Sequence, residues 1–414
     1  MTSSESENLS IKLFKKQKEA AETSTLIGSL VKSPFSNPID GENEANWYRM
    51  LRRPQWVWQG VEPLEMEEIF ARIAASTNPR SHEGLLDTVI GNRSGNWVYE
   101  WTNAGMRYQR DAIALADKKD LDAAFLAWMK ASIYFTVASY PHLKGDPLGL
   151  QSETLAYKAF KEAVALRPYR VRSIETRLNG KALQGFLMVP HTDHPVPTII
   201  VSGGLDTLQI ELWKLFENYL APAGFAMMCV DMPSVGYSQH WNFTEDTSAL
   251  HQALLDEVER QPWVAPGRIG VMGMRFGANA AIRLSFVEQQ RISSCVSLGG
   301  VFHSALTDRK RLQTMPPMYL DMMASRLGVE PTASMITRLQ AWSLKNQGLL
   351  SGRKTQVPIL ALSLKDDPVC PHSDNQMAAM WSVGGKAVSV KTTRRHDGYH
   401  EALKRAVDWF KQTL

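Results

Sequence analysis

The chain has 414 residues, of which 44% are apolar and 21% are charged, and it carries a formal net charge of +4 at pH 7. This length exceeds what one hydrophobic core usually supports, so we expect two domains or one large domain with an extension. Acidic and basic residues are interspersed, there is no uninterrupted run of about 18 apolar residues, and the first residues do not have the pattern of a secretion signal. These features argue against nucleic-acid binding, a membrane anchor and export.

Three cysteines, Cys229, Cys295 and Cys370, lie far apart in the sequence and form no CxxC pair. Their odd number and wide spacing argue against a disulfide framework and against a zinc site. We therefore expect reduced cysteines that fill space in the core of a cytoplasmic protein.

The first 45 residues are polar and rich in lysine, which predicts a mobile arm without a core of its own. From residue 46 to 168, apolar residues recur at spacings of three and four, which predicts a helical domain. One of its segments, "SETLAYKAFKEAVALRP", begins with Ser152 and Glu153, and we expect these two residues to cap a helix.

From residue 169 to 414, short β-branched runs alternate with amphipathic segments about 15 residues long. The alternation predicts a mostly parallel sheet flanked by helices and opened by an antiparallel pair, "YRVRSIETRL" and "ALQGFLMVP". A mainly helical stretch at residues 304–350 interrupts the pattern and is typical of a lid. We expect this lid and the helical domain to close over the ligand crevice and exclude water.

The segment "VMGMRFGANAA" has the pattern of a hydrolase nucleophile elbow, in which a strand runs through G-x-S-x-G into a helix. Gly273 and Gly277 stand where the pattern needs them, but Arg275 occupies the position of the serine. A guanidinium stays protonated and has no lone pair with which to attack a carbonyl. A covalent mechanism through this residue is therefore excluded.

The order of these segments resembles the α/β-hydrolase fold: a glycine loop after the third strand, D-x-P-x-x-G-x-S after the fourth, an elbow after the fifth and a lid after the sixth. The helical N-terminal region and the stretches "VSGGLD", "VDMPSVGYS" and "GMRFGANAAIRLSF" are similar to the FrsA family, the fermentation-respiration switch proteins. This resemblance implies a cytoplasmic carboxylesterase. It also implies a protein partner, the glucose-specific IIA protein of the phosphotransferase system, with its unphosphorylated form favoured.

The resemblance also implies two triad positions. Asp367, after the predicted seventh strand, stands where such hydrolases keep the acid, and its neighbour Asp366 is a close alternative. His396, after the eighth strand, stands near the position of the histidine, and His400 follows it by one helical turn. Further residues are expected to line the crevice, because carboxyl ends of strands face the ligand in such sheets. They are Ser202, Gly203, Gly204, Ser234 and Phe276.

Two roles for Arg275 are compatible with the sequence. In the first, the guanidinium binds a carboxylate or an oxyanion at the N-terminus of the following helix. In the second, it forms an internal ion pair with Asp206, which follows the third strand. If a ligand displaces Asp206, this carboxylate becomes a general acid or base for ester hydrolysis by water, or for decarboxylation of a small 2-oxo acid.

No phosphate-loop, thiamine, pyridoxal or metal signature is visible, so we expect no cofactor. Small carboxylates or carboxylic esters are the expected ligands. The alternative class is a non-enzymatic regulatory protein whose hydrolase site has degenerated.

One stretch of the helical region, "MLRRPQWVWQG", combines Arg52 and Arg53 with Trp56 and Trp58. Such a mixture suits recognition of an acidic or aromatic surface. The interpretation that we favour is that the tryptophans pack the helical region onto the hydrolase domain.

Overall fold

The computed structural model describes residues 36–37, 41–167, 170–191, 193–313, 315–329, 333–365, 367, 369–391 and 395–414. Residues 37–414 form one compact unit. The arm predicted for residues 1–45 lies mostly outside the described residues, which include two-residue strands at Ser36–Asn37 and Gly41–Glu42. The domain boundary near residue 168 stays a prediction.

The centre of the protein is an eight-stranded sheet. Its strands are β1 Arg170–Leu178, β2 Lys181–Val189, β3 Val196–Ser202, β4 Ala226–Val230, β5 Val264–Met274, β6 Ser294–Leu298, β7 Ile359–Leu364 and β8 Lys386–Val390. Across the sheet they follow the order β8-β7-β6-β5-β3-β4-β2-β1. β2 pairs antiparallel with β1 and β4, and every other neighbouring pair is parallel. The predicted parallel sheet and its antiparallel opening pair are confirmed. Because parallel strands end at the same edge, the loops after β3, β5 and β7 meet there.

Helices cover both faces of the sheet. They are α1 Arg53–Gln59, α2 Pro63–Ala74, α3 Trp97–Asp117, α4 Leu121–Ser139, α5 Pro147–Ala165, α6 Ala249–Glu259, α7 Gly277–Val287, α8 Ser304–Thr307, α9 Arg309–Gln313, α10 Pro317–Leu327, α11 Ala333–Leu339, α12 His372–Met380 and α13 Arg395–Thr413. Ile199 of β3 packs in the core layer that includes α4 and α5, and its neighbour Ile200 packs in the layer with α6. Cys229, Cys295 and Cys370 are buried free thiols, as predicted.

Helix α4 is apolar around most of its circumference and packs between α3 and α5. Its length and composition would allow it to cross a membrane, but 67% of its most apolar window is buried inside the protein. An all-round apolar helix is expected in the core of a globular protein. We therefore describe α4 as a core helix that joins the helical region to the rest of the fold.

The predicted cap of α5 is wrong. The helix begins at Pro147, and the side chain of Asp146 accepts two backbone N–H groups of the first turn. Ser152 and Glu153 lie inside the helix and are buried. An aspartate followed by proline is the stronger start signal, because proline has no N–H to satisfy at the first helical position.

Residues 304–350 are mainly helical, as predicted, and carry α8 to α11. Arg326, near the end of α10, is fully buried and ties this insert to two other segments. Its guanidinium donates to the carbonyl oxygen of Leu205, after β3, at 2.7 Å and 3.0 Å. It also donates to the carbonyl oxygens of Pro141 at 3.0 Å and His142 at 2.7 Å, and burial lowers its pKa to about 10.

The segment "TLQIELWKLFENYLAPAG" has the composition of a single helix, but it is a run of short turns. A 3₁₀ turn, an α turn, a π turn and a second 3₁₀ turn follow one another between Gln209 and Ala223. Pro222 lacks the N–H that a continuous helix would use, and Gly224, with a φ of +81°, ends the segment. The broken path brings Glu211 to the edge of the sheet where the loops meet.

Candidate active site

The turn between β5 and α7 has the geometry of a nucleophile elbow, with Arg275 at its tip. Arg275 has a φ of +52°, in the left-handed region that residues with a side chain adopt only at a cost. A Cβ on Gly273 would collide with the backbone of Ala278, and a Cβ on Gly277 would collide with the carbonyl oxygen of Ser202. Both glycines are therefore required for the turn, and its central side chain is a guanidinium.

Arg275 forms an ion pair with Asp367. Its Nη1 donates to Asp367 Oδ2 at 2.8 Å and to the carbonyl oxygen of Gly299 at 3.0 Å, and the Asp367 side chain is only 2% exposed. The predicted pair between Arg275 and Asp206 is therefore wrong. A Cβ on Gly299 would collide with Nη1, so this glycine leaves open the path of the guanidinium toward the loop after β7.

Asp367 is oriented by its own loop as well as by the arginine. Its Oδ1 accepts the backbone N–H groups of Val369 at 2.9 Å and Cys370 at 3.0 Å. A serine hydrolase uses a carboxylate in this place to orient an imidazole, whereas Asp367 holds a guanidinium. His396 lies in the first turn of α13, and its side chain is outside the described residues.

Asp206 pairs with an arginine from the helical region. Arg52 precedes α1, and its Nη1 lies 3.3 Å from Asp206 Oδ2. Burial by itself lowers the pKa of Arg52, but the attraction of Asp206 outweighs this effect and raises that pKa above its ordinary value. Since both residues are buried, the pair is a charged contact between the helical region and the loop after β3.

Both ion pairs line one pocket with a volume of about 60 Å³. The pocket also has apolar walls, formed by Trp58, Leu212, Leu215, Met274, Leu298 and Leu364. Two guanidinium groups, of Arg52 and Arg275, share the space with three carboxyl groups, of Asp206, Glu211 and Asp367. The ionised pocket therefore carries no net positive charge.

One wall of the pocket comes from α1 and the residue before it, and includes Arg52 and Trp58. Within the described part of residues 304–350, no side chain lines the pocket. Trp342 of this insert instead packs behind the elbow against Phe276, with ring centroids 5.2 Å apart. The prediction that the helical region closes over the crevice is thus confirmed. The prediction that the insert does so is wrong, because its described residues pack behind the elbow and do not line the pocket.

In the segment "MLRRPQWVWQG", the tryptophans pack inside the protein, as the second interpretation of this segment predicted. Trp56 is fully buried, and Trp58 packs edge to face on Tyr399 with ring centroids 6.2 Å apart. Arg53 points the other way and pairs at the surface with Glu44 at 2.7 Å. Of the two adjacent arginines, Arg52 therefore lines the pocket and Arg53 forms an ion pair at the surface.

Behind the pocket, a fully buried histidine joins two carboxylates. His142 Nδ1 lies 3.7 Å from Glu153 Oε2, and His142 Nε2 lies 3.7 Å from Glu211 Oε1. Burial by itself lowers the pKa of His142, but the two carboxylates outweigh it and raise this pKa to about 9. His142 is therefore cationic at neutral pH and offsets the charge of Glu211 at the pocket wall.

The residues predicted to line the crevice are not all brought together. Gly204 lines the pocket, whereas the Ser202 hydroxyl donates to a methionine sulfur and the Ser234 hydroxyl donates to a backbone carbonyl. Phe276 faces an aromatic cluster, and Gly203 backs onto the elbow. Position after a strand thus identified the correct edge of the sheet but not the direction of each side chain.

Sequence reasoning missed the pocket residues that come from outside the strand ends. Arg52, Trp58 and Tyr399 all line the pocket. Tyr399 lies three residues after His396 in the sequence, and this helical spacing offered a signal. No sequence signal links Arg52 to Asp206. Among the described residues, no group of three or more His, Cys, Asp or Glu side chains is placed to hold a metal ion.

Comparison with known proteins identifies a family. A family model described as Esterase FrsA-like matches residues 4–414. Esterase FrsA of Photobacterium profundum is 49% identical over 100% of both chains. Esterase FrsA of Yersinia pestis (strain Pestoides F) is 40% identical over 98% of this chain and 99% of its own.

Two solved structures are similar over most of the chain. The 2,6-dihydroxy-pseudo-oxynicotine hydrolase has a TM-score of 0.69 at 17% identity and covers 87% of this chain and 95% of its own. AbyA5 has a TM-score of 0.61 at 20% identity and covers 77% of this chain and 94% of its own. At such identities they show the fold alone, and the expected α/β-hydrolase fold is confirmed.

Proposed function

The chain belongs to the FrsA-like esterase family, and we propose that it is a hydrolase that cleaves small carboxylic esters by direct attack of water. The observation that carries this proposal is Arg275 at the tip of the elbow, beside the pocket. A guanidinium only donates hydrogen bonds, so its role is to bind the ester carbonyl oxygen as that oxygen becomes an oxyanion.

The charge balance of the pocket favours a neutral ester over a carboxylate as the substrate. Arg52 and Arg275 already face Asp206 and Asp367, with Glu211 and His142 nearby. A carboxylate ligand would have to displace one of these pairs, whereas a neutral ester would not. Negative charge then develops only in the transition state, where donors that are fixed in advance stabilise it most.

Asp206 is the base in this scheme. It takes a proton from water while the water oxygen bonds to the carbonyl carbon, and collapse of the intermediate breaks the bond to the alcohol oxygen. One water is consumed, and a carboxylic acid and an alcohol are formed. Arg52 orients Asp206 for this step through their 3.3 Å contact.

Hydrolysis of p-nitrophenyl acetate by the full chain tests the proposal. We expect Asp206→Asn to lower kcat by roughly 10² to 10⁴, and Arg275→Lys to lower it by roughly 10² to 10³. Arg53→Met, which removes the neighbouring surface arginine, is the matched control and should leave kcat unchanged. Unchanged turnover in Asp206→Asn, or stoichiometric labelling of a serine by a fluorophosphonate probe, would contradict the water mechanism.

We further propose that the partner is the unphosphorylated glucose-specific IIA protein, met in the cytoplasm. The family resemblance motivates this proposal, and the surface supports it. Of the eleven large apolar residues that are exposed in the described part of the chain, eight lie between residues 57 and 150. On α3, Met106, Arg110 and Ile113 form one exposed stripe of apolar and basic side chains.

Calorimetric titration with the IIA protein tests this proposal. Ile113→Asp should weaken binding of the IIA protein, whereas Val287→Asp, which changes an exposed apolar residue outside residues 57–150, should not. Equal affinity for phosphorylated and unphosphorylated partner would contradict a switch.

A further inference from the structure

Tyr399 lines the pocket but has no role in the hydrolysis steps assigned to Arg275 and Asp206. It lies in the second turn of α13, after β8, and lines the same pocket as Arg275 and Asp206. Its hydroxyl donates to the thioether sulfur of Met274 at 3.3 Å. A thioether is a weak acceptor, so this hydrogen bond is lost at little cost when an oxygen acceptor enters the pocket.

The protonation state of Tyr399 suits a donor. Burial raises the pKa of Tyr399 to about 12, although the nearby guanidinium groups of Arg52 and Arg275 lower it in part. The phenol therefore keeps its proton at neutral pH. Its side chain lines the same pocket as both arginines.

The carboxylates and the second hydroxyl of the described pocket lining are already engaged. The carboxylates of Asp206 and Asp367 are held by arginines. The other hydroxyl in the lining, that of Thr207, donates to Asp206 at 3.5 Å. Tyr399 thus presents an O–H group whose present partner is only a sulfur.

We propose that Tyr399 is the general acid that protonates the departing alcohol oxygen, an inference that rests on the proposed ester hydrolysis. When the tetrahedral intermediate collapses, the bond between the carbonyl carbon and the alkoxide oxygen breaks, and the phenol proton passes to that oxygen. The phenolate then regains a proton, through pocket water, from the Asp206 carboxyl group, which had taken one from the attacking water. The cycle consumes one water and restores both side chains.

The assignment predicts a dependence on the leaving group. A nitrophenolate departs without a proton, because its charge is delocalised, whereas an ethoxide needs one. Tyr399→Phe should therefore lower kcat/KM for ethyl acetate by roughly 10² to 10⁴ and change it by less than about threefold for p-nitrophenyl acetate, for which acid catalysis has little to supply. A merely structural role would lower both rates together.

The experiment compares the native chain, Tyr399→Phe and Tyr219→Phe on the two esters. Tyr219 is a suitable control because its hydroxyl contacts His400, outside the pocket lining, and it belongs to the same aromatic group. The control should keep both activities. Equal losses on both esters in Tyr399→Phe, or no loss on ethyl acetate, would overturn the assignment while leaving ester hydrolysis intact. A native chain that cleaves neither ester would refute the proposed function and this inference with it.

Discussion

Replacing His142 tests whether a buried cation stabilises the region behind the pocket. We choose His142→Asn because His142 has a φ of +61°, and asparagine tolerates this left-handed conformation better than most residues. The substitution removes the charge between Glu153 and Glu211 without adding backbone strain. It therefore isolates the electrostatic contribution of the imidazolium.

The magnitude follows from the raised pKa. The pKa of His142 is about 9 in the folded protein, against about 6.5 in an unfolded chain. A raised pKa means that the folded state holds the proton more tightly, so the stabilisation is complete below about pH 6.5 and disappears as pH rises through about 9. At about 1.4 kcal/mol for each unit, the contribution amounts to about 3 kcal/mol.

The assay is urea unfolding of the native chain and of His142→Asn at intervals from pH 6 to pH 10. The difference in the free energy of unfolding between the two proteins should shrink by about 3 kcal/mol across this range. Buried cysteines and tyrosines also titrate at high pH, but they are the same in both proteins and cancel in the difference.

His251 provides the control. It is fully buried like His142, but burial lowers its pKa to about 4, so it is neutral throughout this range. The difference in unfolding free energy between the native chain and His251→Asn should therefore stay constant above pH 7. A difference for His142→Asn that is equally flat would refute the assignment of a buried imidazolium.

Three further predictions concern the arginines. Arg52→Met leaves the Asp206 carboxylate buried and unpaired and should cost about 3 to 5 kcal/mol in urea unfolding, whereas Arg53→Met should cost less than about 1 kcal/mol; equal losses would contradict the different surroundings of the two arginines. Arg275→Lys cannot reproduce the geometry of the contact with Asp367, and a loss of about 1 to 3 kcal/mol is expected in the same assay; no loss would show that this contact is unimportant for stability. Millimolar acetate should leave the melting temperature of the native chain unchanged, and a rise that vanishes in Arg275→Lys would instead establish a carboxylate site.

The sequence predicts the sheet and the elbow because both are local patterns. Buried strands, the glycines around Arg275 and the absence of a hydroxyl there are all visible within short windows. The partner of Arg275 was misassigned because the decisive residue, Gly299, acts by lacking a side chain. Its effect on the direction of the guanidinium depends on the register between β5 and β6.

The role of Arg52 lies beyond sequence reasoning for a different reason. Arg52 and Asp206 are 154 positions apart in the chain. No local sequence pattern shows how the helical region packs on the sheet, so their contact could not be predicted. The broken path of the segment after β3 could not be predicted for a third reason. Its composition is that of a helix, and Pro222 is the one residue in it that argues against a continuous helix. Tertiary packing, which sets the path of this segment, overrides helix propensity there.

The burial of α4 has a consequence for how the protein is made. Phe125 of this helix packs against Trp213, with ring centroids 5.9 Å apart. A ribosome that adds 5 to 20 residues each second needs roughly 4 to 18 s to pass from one residue to the other. During that interval the most apolar helix of the chain has left the ribosome without the sheet that will cover it. We therefore expect the yield of the protein in cells to depend on how well this helix is shielded during synthesis, and not only on the stability of the finished fold.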